Sequence, residues 1–283
     1  MKLLKLEYKK IIGNKSFWVF TLLFLVLLPF LVIFIPGMAG VEFEGVEFYP
    51  FVPRSYEITW YYVTIVSSWF SFFLLNFILI YHITNEYSYR TVRQNVIDGL
   101  TRIDYLKGKL LLLLVISILA TAYVFLVGLI GGMYFSSFTP PEPNVLQKMF
   151  NITVSVPGEF GQIWDGVENV FRFFIQNVAT FCFAILIAFL VKRGILAVLI
   201  FYSAFIVELI IGAILKSKEL GAIYEYLPLY NIGEALPFPG FKQLLLGITA
   251  PTEISWINVG IVFVYILVFL FLIKRIFFKR DIS

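Results

Sequence analysis

Long apolar segments recur along the chain and alternate with shorter polar stretches. A transmembrane helix needs about 20 predominantly apolar residues to cross a hydrocarbon layer of about 30 Å. Six segments meet this length, at approximately residues 17–36, 60–83, 110–135, 173–191, 194–215 and 256–273. The pattern predicts an all-α integral membrane protein in which residues 1–283 form a single transmembrane domain.

The composition leaves little room for a soluble domain beside these helices. Of the 283 residues, 60% are hydrophobic and only 14% are charged, whereas a soluble domain has about 25% charged residues. The mean hydropathy is +0.90. The single cysteine, Cys182, excludes an internal disulfide and a Cys-rich metal site, and we expect it to pack without a chemical role.

The distribution of basic residues predicts the orientation. An even number of spans puts both termini on one side, and 16 of the 22 lysines and arginines fall on that side. Because cytoplasmic loops are enriched in Lys and Arg, both termini are predicted to be cytoplasmic. These charges adjoin the headgroups of the lipid bilayer, so the net charge of +4 does not indicate a nucleic-acid partner.

Two segments on the predicted cytoplasmic side favour short helices outside the spans. The first twelve residues place Leu3, Tyr8 and Ile11 at helical spacing with lysines on other faces, which predicts an amphipathic interfacial helix; the alternative is a basic flank that only sets topology. Residues 85–97 can form a second helix, with Asn85 as its N-cap, and such a helix can dock another protein.

The end of this second helix carries its own signals. Gly99 fits a C-terminal stop, and Thr101 to Asp104 form a capping box that opens the third span.

On the predicted outer side, residues 216–255 contain two apolar pieces that are too short to cross the membrane. These pieces, at 227–232 and 241–248, are separated by Pro and Gly. They predict short re-entrant or interfacial helices, or else a loop that packs its leucines against the bundle.

Catalytic and nucleotide-binding patterns are missing from the sequence. The chain has no phosphate-binding GxxxxGK[ST] loop and a single histidine, His82, at the inner end of the second span, where it needs no special role. We therefore expect no enzymatic activity, no metal and no cofactor bound by this chain.

A few polar residues lie within the predicted spans. Burying Glu208 in the fifth span costs a few kcal/mol, so it should contact substrate or a proton, or else form a structural hydrogen bond to another helix or subunit. Asn76, Gln176 and Asn177 can line a substrate path or join helices. Gly128 and Gly132 predict close helix approach in the third span.

Proline predicts one irregular helix. Pro29 lies inside the first span and is expected to kink it.

Taken together, this arrangement resembles the membrane subunit, or permease, of bacterial type-2 ATP-binding-cassette (ABC) exporters. Those permeases have six spans with both ends inside and an amphipathic helix before the first span. They also have a cytoplasmic coupling helix between the second and third spans, and short re-entrant helices between the fifth and sixth. All four features have counterparts here.

The loop between the second and third spans carries the most specific part of the resemblance. Family members commonly show a Glu, then Gly-Thr, then Ser-Arg, then a Lys that enters the third span. Here Glu86, Thr91, Thr101-Arg102 and Lys109 match, while Arg90 stands where the family often has Gly. The resemblance implies an ATPase-coupling interface made of Glu86, Arg90, Thr91, Arg93 and Arg102, and the alternative is a solvated charged face.

The resemblance also implies a function and partners. A separate cytoplasmic ATPase would bind ATP and Mg²⁺ and drive export of an amphipathic or hydrophobic substrate, such as a peptide, lipid or drug. The permease would pair with a second copy or a homologous permease in the bacterial plasma (inner) membrane. The alternatives are an ATP-independent channel or transporter, which would favour rings of charged or carbonyl groups, and a membrane scaffold that transports nothing.

Overall fold

The computed structural model describes residues 2–34, 41–43, 46–48, 56–89, 91–97, 99–135, 159–218, 223, 226–235 and 256–279. The helices in these ranges are α1 (Lys2–Ile12), α2 (Lys15–Pro29), α3 (Tyr56–Phe70), α4 (Asn76–Ser88), α5 (Thr91–Ile97), α6 (Arg102–Phe135), α7 (Glu159–Val191), α8 (Gly194–Ser217), α9 (Pro228–Ala235) and α10 (Trp256–Lys279). Two π-helical segments, Phe30–Phe34 and Ser71–Leu75, extend α2 and join α3 to α4.

Six helical segments are long and apolar enough to cross a membrane, as the sequence predicted. They are Lys15–Val32, Val63–Ser88, Arg102–Tyr134, Gly166–Val191, Gly194–Leu215 and Ile257–Lys279. The second and third extend further toward the loop between them than the predicted limits at 83 and 110. The predicted limits followed the charged residues, but Glu86 and Lys109 at these helix ends are buried against each other, and the helices continue through them.

One short antiparallel hairpin departs from the predicted all-α fold. Strands β1 (Val41–Phe43) and β2 (Val46–Phe48) pair with Val41 opposite Phe48 and Phe43 opposite Val46. Each strand has the sequence Val-Glu-Phe, and alternation of apolar and polar residues favours β-structure. This alternation in the sequence could have predicted the hairpin.

The fourth span lies at the centre of the bundle. Helix α7 packs against α3, α4, α6 and α10, and Ala179, Ala184 and Ala188 are fully buried along it. Such small residues let neighbouring helices approach closely. The first and fifth spans, by contrast, expose most of their apolar side chains, as helices surrounded by lipid do.

Two glycines enclose a tryptophan between three helices. A Cβ atom on Gly128 would lie 2.6 Å from Cε3 and Cζ3 of Trp60, and a Cβ on Gly166 would lie 2.7 Å from Cδ2 of the same ring. Trp60 is only 2% exposed. The predicted close approach at Gly128 is therefore confirmed, and its partner is α3.

Pro29 interrupts the first span as predicted. Proline has no N–H, so the carbonyl four residues earlier, that of Leu25, loses its helical donor. The hydroxyl of Tyr123 on α6 donates to this carbonyl oxygen at 2.5 Å. The α-helix ends at Pro29 and continues as a π-helical segment.

This contact gives a double-mutant prediction. Tyr123→Phe leaves the Leu25 carbonyl without a donor in hydrocarbon, so we expect the free energy of unfolding to fall by about 1 kcal/mol. In a Pro29→Ala background the restored N–H can bond the carbonyl, and Tyr123→Phe should cost much less. Unfolding titrations of all four proteins in detergent, with exposed Tyr8→Phe as a neutral control, measure the coupling. An equal cost in both backgrounds would contradict this account.

Candidate functional site

Ionisable side chains from three helices meet at the end of the bundle where α1 lies. Lys109 on α6 is central to this ion cluster, which consists of Glu7, Lys10, His82, Glu86 and Lys109. The Lys109 Nζ atom lies 2.5 Å from Glu7 Oε2 and 2.9 Å from Glu86 Oε2. It also lies 3.1 Å from His82 Nε2. One ammonium group, which has three N–H donors, thus joins α6 to α1 and to α4.

The outer contacts of the ion cluster complete its charge balance. Lys10 Nζ lies 3.0 Å from Glu86 Oε1, and the Tyr105 hydroxyl donates to Glu86 Oε2 at 2.6 Å. Two carboxylates and two ammonium groups cancel when His82 is uncharged. Buried charges are tolerated when they are paired and hydrogen-bonded in this way.

His82, for which the sequence indicated no special role, lies in a specific environment. Its Nε2 atom lies 3.2 Å from Glu7 Oε2 as well as beside Lys109. This nitrogen donates to Glu7 in one tautomer and accepts from Lys109 in the other. Both the imidazole and its neighbours are buried, so His82 joins α4 to α1 and α6.

Glu7 is held ionised by its neighbours. Burial alone would raise the pKa of its carboxyl, but the contact with His82 and the positive charges of Lys109 and Lys10 lower that pKa to about 2. The close approach of α1 to α6 depends on Gly108, since a Cβ there would lie 3.3 Å from Glu7 Cγ. Glu7 therefore anchors α1 to the bundle as an anion.

Three residues of the ion cluster have the chemistry of metal ligands. Ligand atoms of Glu7, His82 and Glu86 lie within 4.8 Å of one another, and carboxylates with an imidazole are common partners of divalent ions. The Lys109 ammonium, however, is in contact with all three. It takes the position that a metal ion would need, and two like charges would repel there.

The loop between the second and third spans differs from its prediction at one end. The predicted N-cap at Asn85 is wrong: Asn85 lies in the last turns of α4, where its carbonyl accepts the Tyr89 N–H at 2.9 Å. A separate seven-residue helix, α5, begins at Thr91. The reason is that Glu86 is drawn into the ion cluster, which extends α4.

At the other end of the loop the predictions are confirmed. Gly99 has φ of +95°, the left-handed conformation that glycine adopts after a helix. The Thr101 hydroxyl oxygen accepts the Asp104 N–H at 3.1 Å, and the same hydroxyl donates to the Asp104 carboxylate at 2.6 Å. These bonds begin α6 at Arg102.

The residues predicted to couple to an ATPase have different environments. Glu86 is 6% exposed, and its carboxylate is committed to partners in its own chain. The Thr91 hydroxyl donates to the Glu86 carbonyl at 3.1 Å, which ties the start of α5 to α4. Arg93 is exposed and Arg102 is half-buried. Arg90 lies outside the described residues.

Large apolar side chains are also exposed in this loop and in the first turn of the third candidate span. Tyr89 is 75% exposed, Ile97 is 74% exposed and Ile103 at the start of α6 is 51% exposed. Together with Arg93 they form what we term the loop surface (Tyr89, Arg93, Ile97 and Ile103). Only Arg93 of this surface was predicted from the sequence, although Tyr89 and Ile97 lie within the predicted helix at 85–97.

The polar residues inside the spans are brought together as interhelical contacts. Ser68 donates to Gln176 Oε1 at 2.6 Å, and Gln176 Nε2 donates to the Ile232 carbonyl at 3.0 Å. The Ser71 hydroxyl donates to Asn177 Oδ1. All of these side chains are buried, so Gln176 and Asn177 join α7 to the second span and Gln176 also joins α7 to α9.

Asn76 and the nearby π-helical segment form a related contact. Asn76 Nδ2 donates to the Ser71 carbonyl at 3.3 Å. Tyr202 on α8 donates to the Phe73 carbonyl at 2.8 Å. The carbonyls displaced by the π-helical geometry thus find donors within the bundle.

Glu208 contacts another helix of the same chain. Its carboxylate accepts the Tyr230 N–H at 2.6 Å, in the first turn of α9. Helix N-termini carry unsatisfied N–H groups and a partial positive charge, so an anion there is stabilised. Helix α9 coincides with the first predicted short outer helix, while the second predicted piece, at 241–248, lies outside the described residues.

The ion cluster was not predicted from the sequence. Its members lie next to apolar segments at the same predicted side of the membrane. This shared location is the sequence feature that could have indicated that they meet. Comparison with protein-family models and with curated proteins finds no match for this chain.

Proposed function

We propose that this chain is the permease subunit of a type-2 ABC exporter. In this proposal a separate ATPase binds ATP and Mg²⁺, docks on the loop surface and moves α5 when it changes state. A second permease copy or a homologous permease completes the transporter, and the cargo is an amphipathic or hydrophobic molecule.

The observation that carries this proposal is the loop surface. Tyr89 and Ile97 expose large apolar side chains in the loop between two candidate spans, and Ile103 does so in the first turn of the third span. Large apolar side chains exposed outside the hydrocarbon layer favour an interaction surface. A partner that covers them gains about 2 kcal/mol for each well-buried side chain.

The ion cluster gives the docking loop a rigid base. Thr91 at the start of α5 is hydrogen-bonded to Glu86, whose carboxylate contacts Lys109 beyond the other end of the loop. Both ends of the loop are thus bound to one charged centre. A partner that displaces α5 would act on the second and third spans together.

The proposed location follows from charge. The concentration of lysines and arginines on the side of the termini favours a cytoplasmic position for α1 and α5, and the resemblance favours the bacterial plasma (inner) membrane. On this orientation the loop surface faces the compartment that contains ATP.

The test is purification from native membranes in nanodiscs, followed by mass spectrometry. The change is Tyr89→Ser with Ile97→Ser, and the matched control is Tyr226→Ser, an exposed tyrosine between the fifth and sixth spans. We expect the wild type and the control to retain a nucleotide-binding subunit. The double variant should bind it on the order of a thousandfold more weakly, because two apolar contacts of about 2 kcal/mol each are lost.

Two outcomes would reject the proposal. One is the recovery of this chain without an ATPase under conditions that keep a known ABC exporter intact. The other is equal retention of the ATPase by the double variant and the wild type. In the first case an ATP-independent channel or a scaffold becomes the better hypothesis.

A further inference from the structure

Among the described residues, this loop exposes positive charge, and the described acids Glu86 and Asp104 are bound within this chain. Arg93 on α5 and Lys107 on α6 are exposed. Glu86 is buried against Lys109 and Lys10. The Asp104 carboxylate accepts the Thr101 hydroxyl at the start of α6.

Arg93 lies on the same face of α5 as Ile97. Residues four positions apart on a helix are neighbours, so Arg93 lies one turn from Ile97, which is 74% exposed. A partner that covers Ile97 also removes water from the Arg93 guanidinium. Because an unpaired buried charge is strongly unfavourable, a counter-charge is needed there.

Glu86 and Asp104 are poorly placed to supply that counter-charge. Turning Glu86 outward would break its contacts with Lys109 and Lys10, and turning Asp104 outward would break the capping bond with Thr101. We therefore propose that the docking partner presents a carboxylate to Arg93, at the border of an apolar cleft that receives Ile97. This inference rests on the proposed function and specifies the chemistry of the partner's surface.

A carboxylate fits the guanidinium better than any single-atom acceptor. Arginine presents parallel N–H donors that match both carboxylate oxygens, and such bidentate pairs are stronger and more specific than pairs made by lysine. In this interface the chain contributes the cation through Arg93 and the partner contributes the anion, while Glu86 stays bound within this chain.

The experiment measures retention of the copurified ATPase by a series of charge variants. The variants are Arg93→Lys, Arg93→Gln and Arg93→Glu, with Lys218→Glu at an exposed site between the fifth and sixth spans as control. We expect roughly tenfold weaker binding for Arg93→Gln and roughly a hundredfold for Arg93→Glu, with Arg93→Lys between Arg93→Gln and the wild type. Raising the salt concentration should weaken the wild type more than Arg93→Gln.

Further variants identify where the carboxylate lies. Asp98 lies outside the described residues, so Asp98→Asn is included to test for a counter-charge within this chain. Once the ATPase is identified, reversing an acidic residue of its docking cleft to Arg should restore binding to Arg93→Glu.

Each outcome decides one question. Three outcomes would overturn the acidic cleft and leave the exporter proposal intact. The first two are equal binding by Arg93→Gln and Arg93→Glu, and tighter binding by Arg93→Glu than by Arg93→Gln. The third is an Asp98→Asn effect equal to that of Arg93→Gln. Absence of an ATPase from the wild type overturns both.

Discussion

Replacing Lys109 by methionine should lower the free energy of unfolding by about 3–5 kcal/mol. The ammonium contacts Glu7, Glu86 and His82 and is only 1% exposed. Its loss leaves the two buried carboxylates with only the partly exposed Lys10 as a cation, while the methionine fills a similar volume. Unfolding titrations in detergent or nanodiscs measure the change.

The control and the rescue for Lys109→Met follow from the same geometry. Lys274→Met removes an exposed lysine near the same end of the bundle, and it should change stability by less than about 0.5 kcal/mol. Adding Glu7→Gln and Glu86→Gln to Lys109→Met removes the uncompensated charges and should restore much of the stability. A Lys109→Met protein as stable as the wild type would show that the ion cluster does not hold these helices together.

Substituting alanine for Gly128 should have the second largest effect, a loss of about 3 kcal/mol. The new methyl group would lie 2.6 Å from two ring atoms of Trp60, which is far inside van der Waals contact. The ring cannot move away, because Gly166 on the opposite helix is equally close to it. The third and fourth spans would have to separate from α3, and unfolding titrations report that loss.

Gly260→Ala is the matched control for this prediction. Gly260 also lies in a candidate span, but a Cβ there meets no atom within 4 Å among the described residues. The substitution should be neutral or slightly stabilising, since alanine favours the helix. Trp60→Leu should recover part of the stability lost in Gly128→Ala. Equal effects of Gly128→Ala and Gly260→Ala would contradict the packing described for Trp60.

The six spans and the start of α6 could be predicted because each depends on neighbouring residues. Apolar runs of sufficient length define a span, and the Thr101–Asp104 capping box is local by nature. Gly99 likewise ends a segment through its own backbone conformation. Local sequence patterns therefore account for most of the secondary structure.

The ion cluster could not be predicted in the same way, because its contacts join distant positions. Glu7 meets residues 75 and 102 positions later in the chain, His82 and Lys109. When each residue is considered alone in the sequence, Lys109 marks the edge of a span and Glu7 is one acid in a basic segment. Only the packing of α1 across α4 and α6 makes them partners.

The π-helical segments were not predicted, for another reason. Ser71–Leu75 has the same apolar character as the helices on either side of it, and hydropathy has no feature that distinguishes π from α geometry. Pro29 signalled the first irregularity through its missing N–H, but no residue type signalled the second. Tertiary contacts such as that of Tyr202 accompany it.

The wide separation of the ion-cluster residues along the chain has a consequence for how the protein is made. Glu7 leaves the ribosome about one hundred residues before Lys109. The contact of α1 with Lys109 therefore cannot form until the first three spans have been inserted. The cluster closes only if the first, second and third spans place their charged ends on one face of the membrane. A chain inserted with one of these spans inverted would have its charges about 30 Å apart. The same contacts that anchor α1 thus distinguish correctly threaded chains from misthreaded ones during biogenesis.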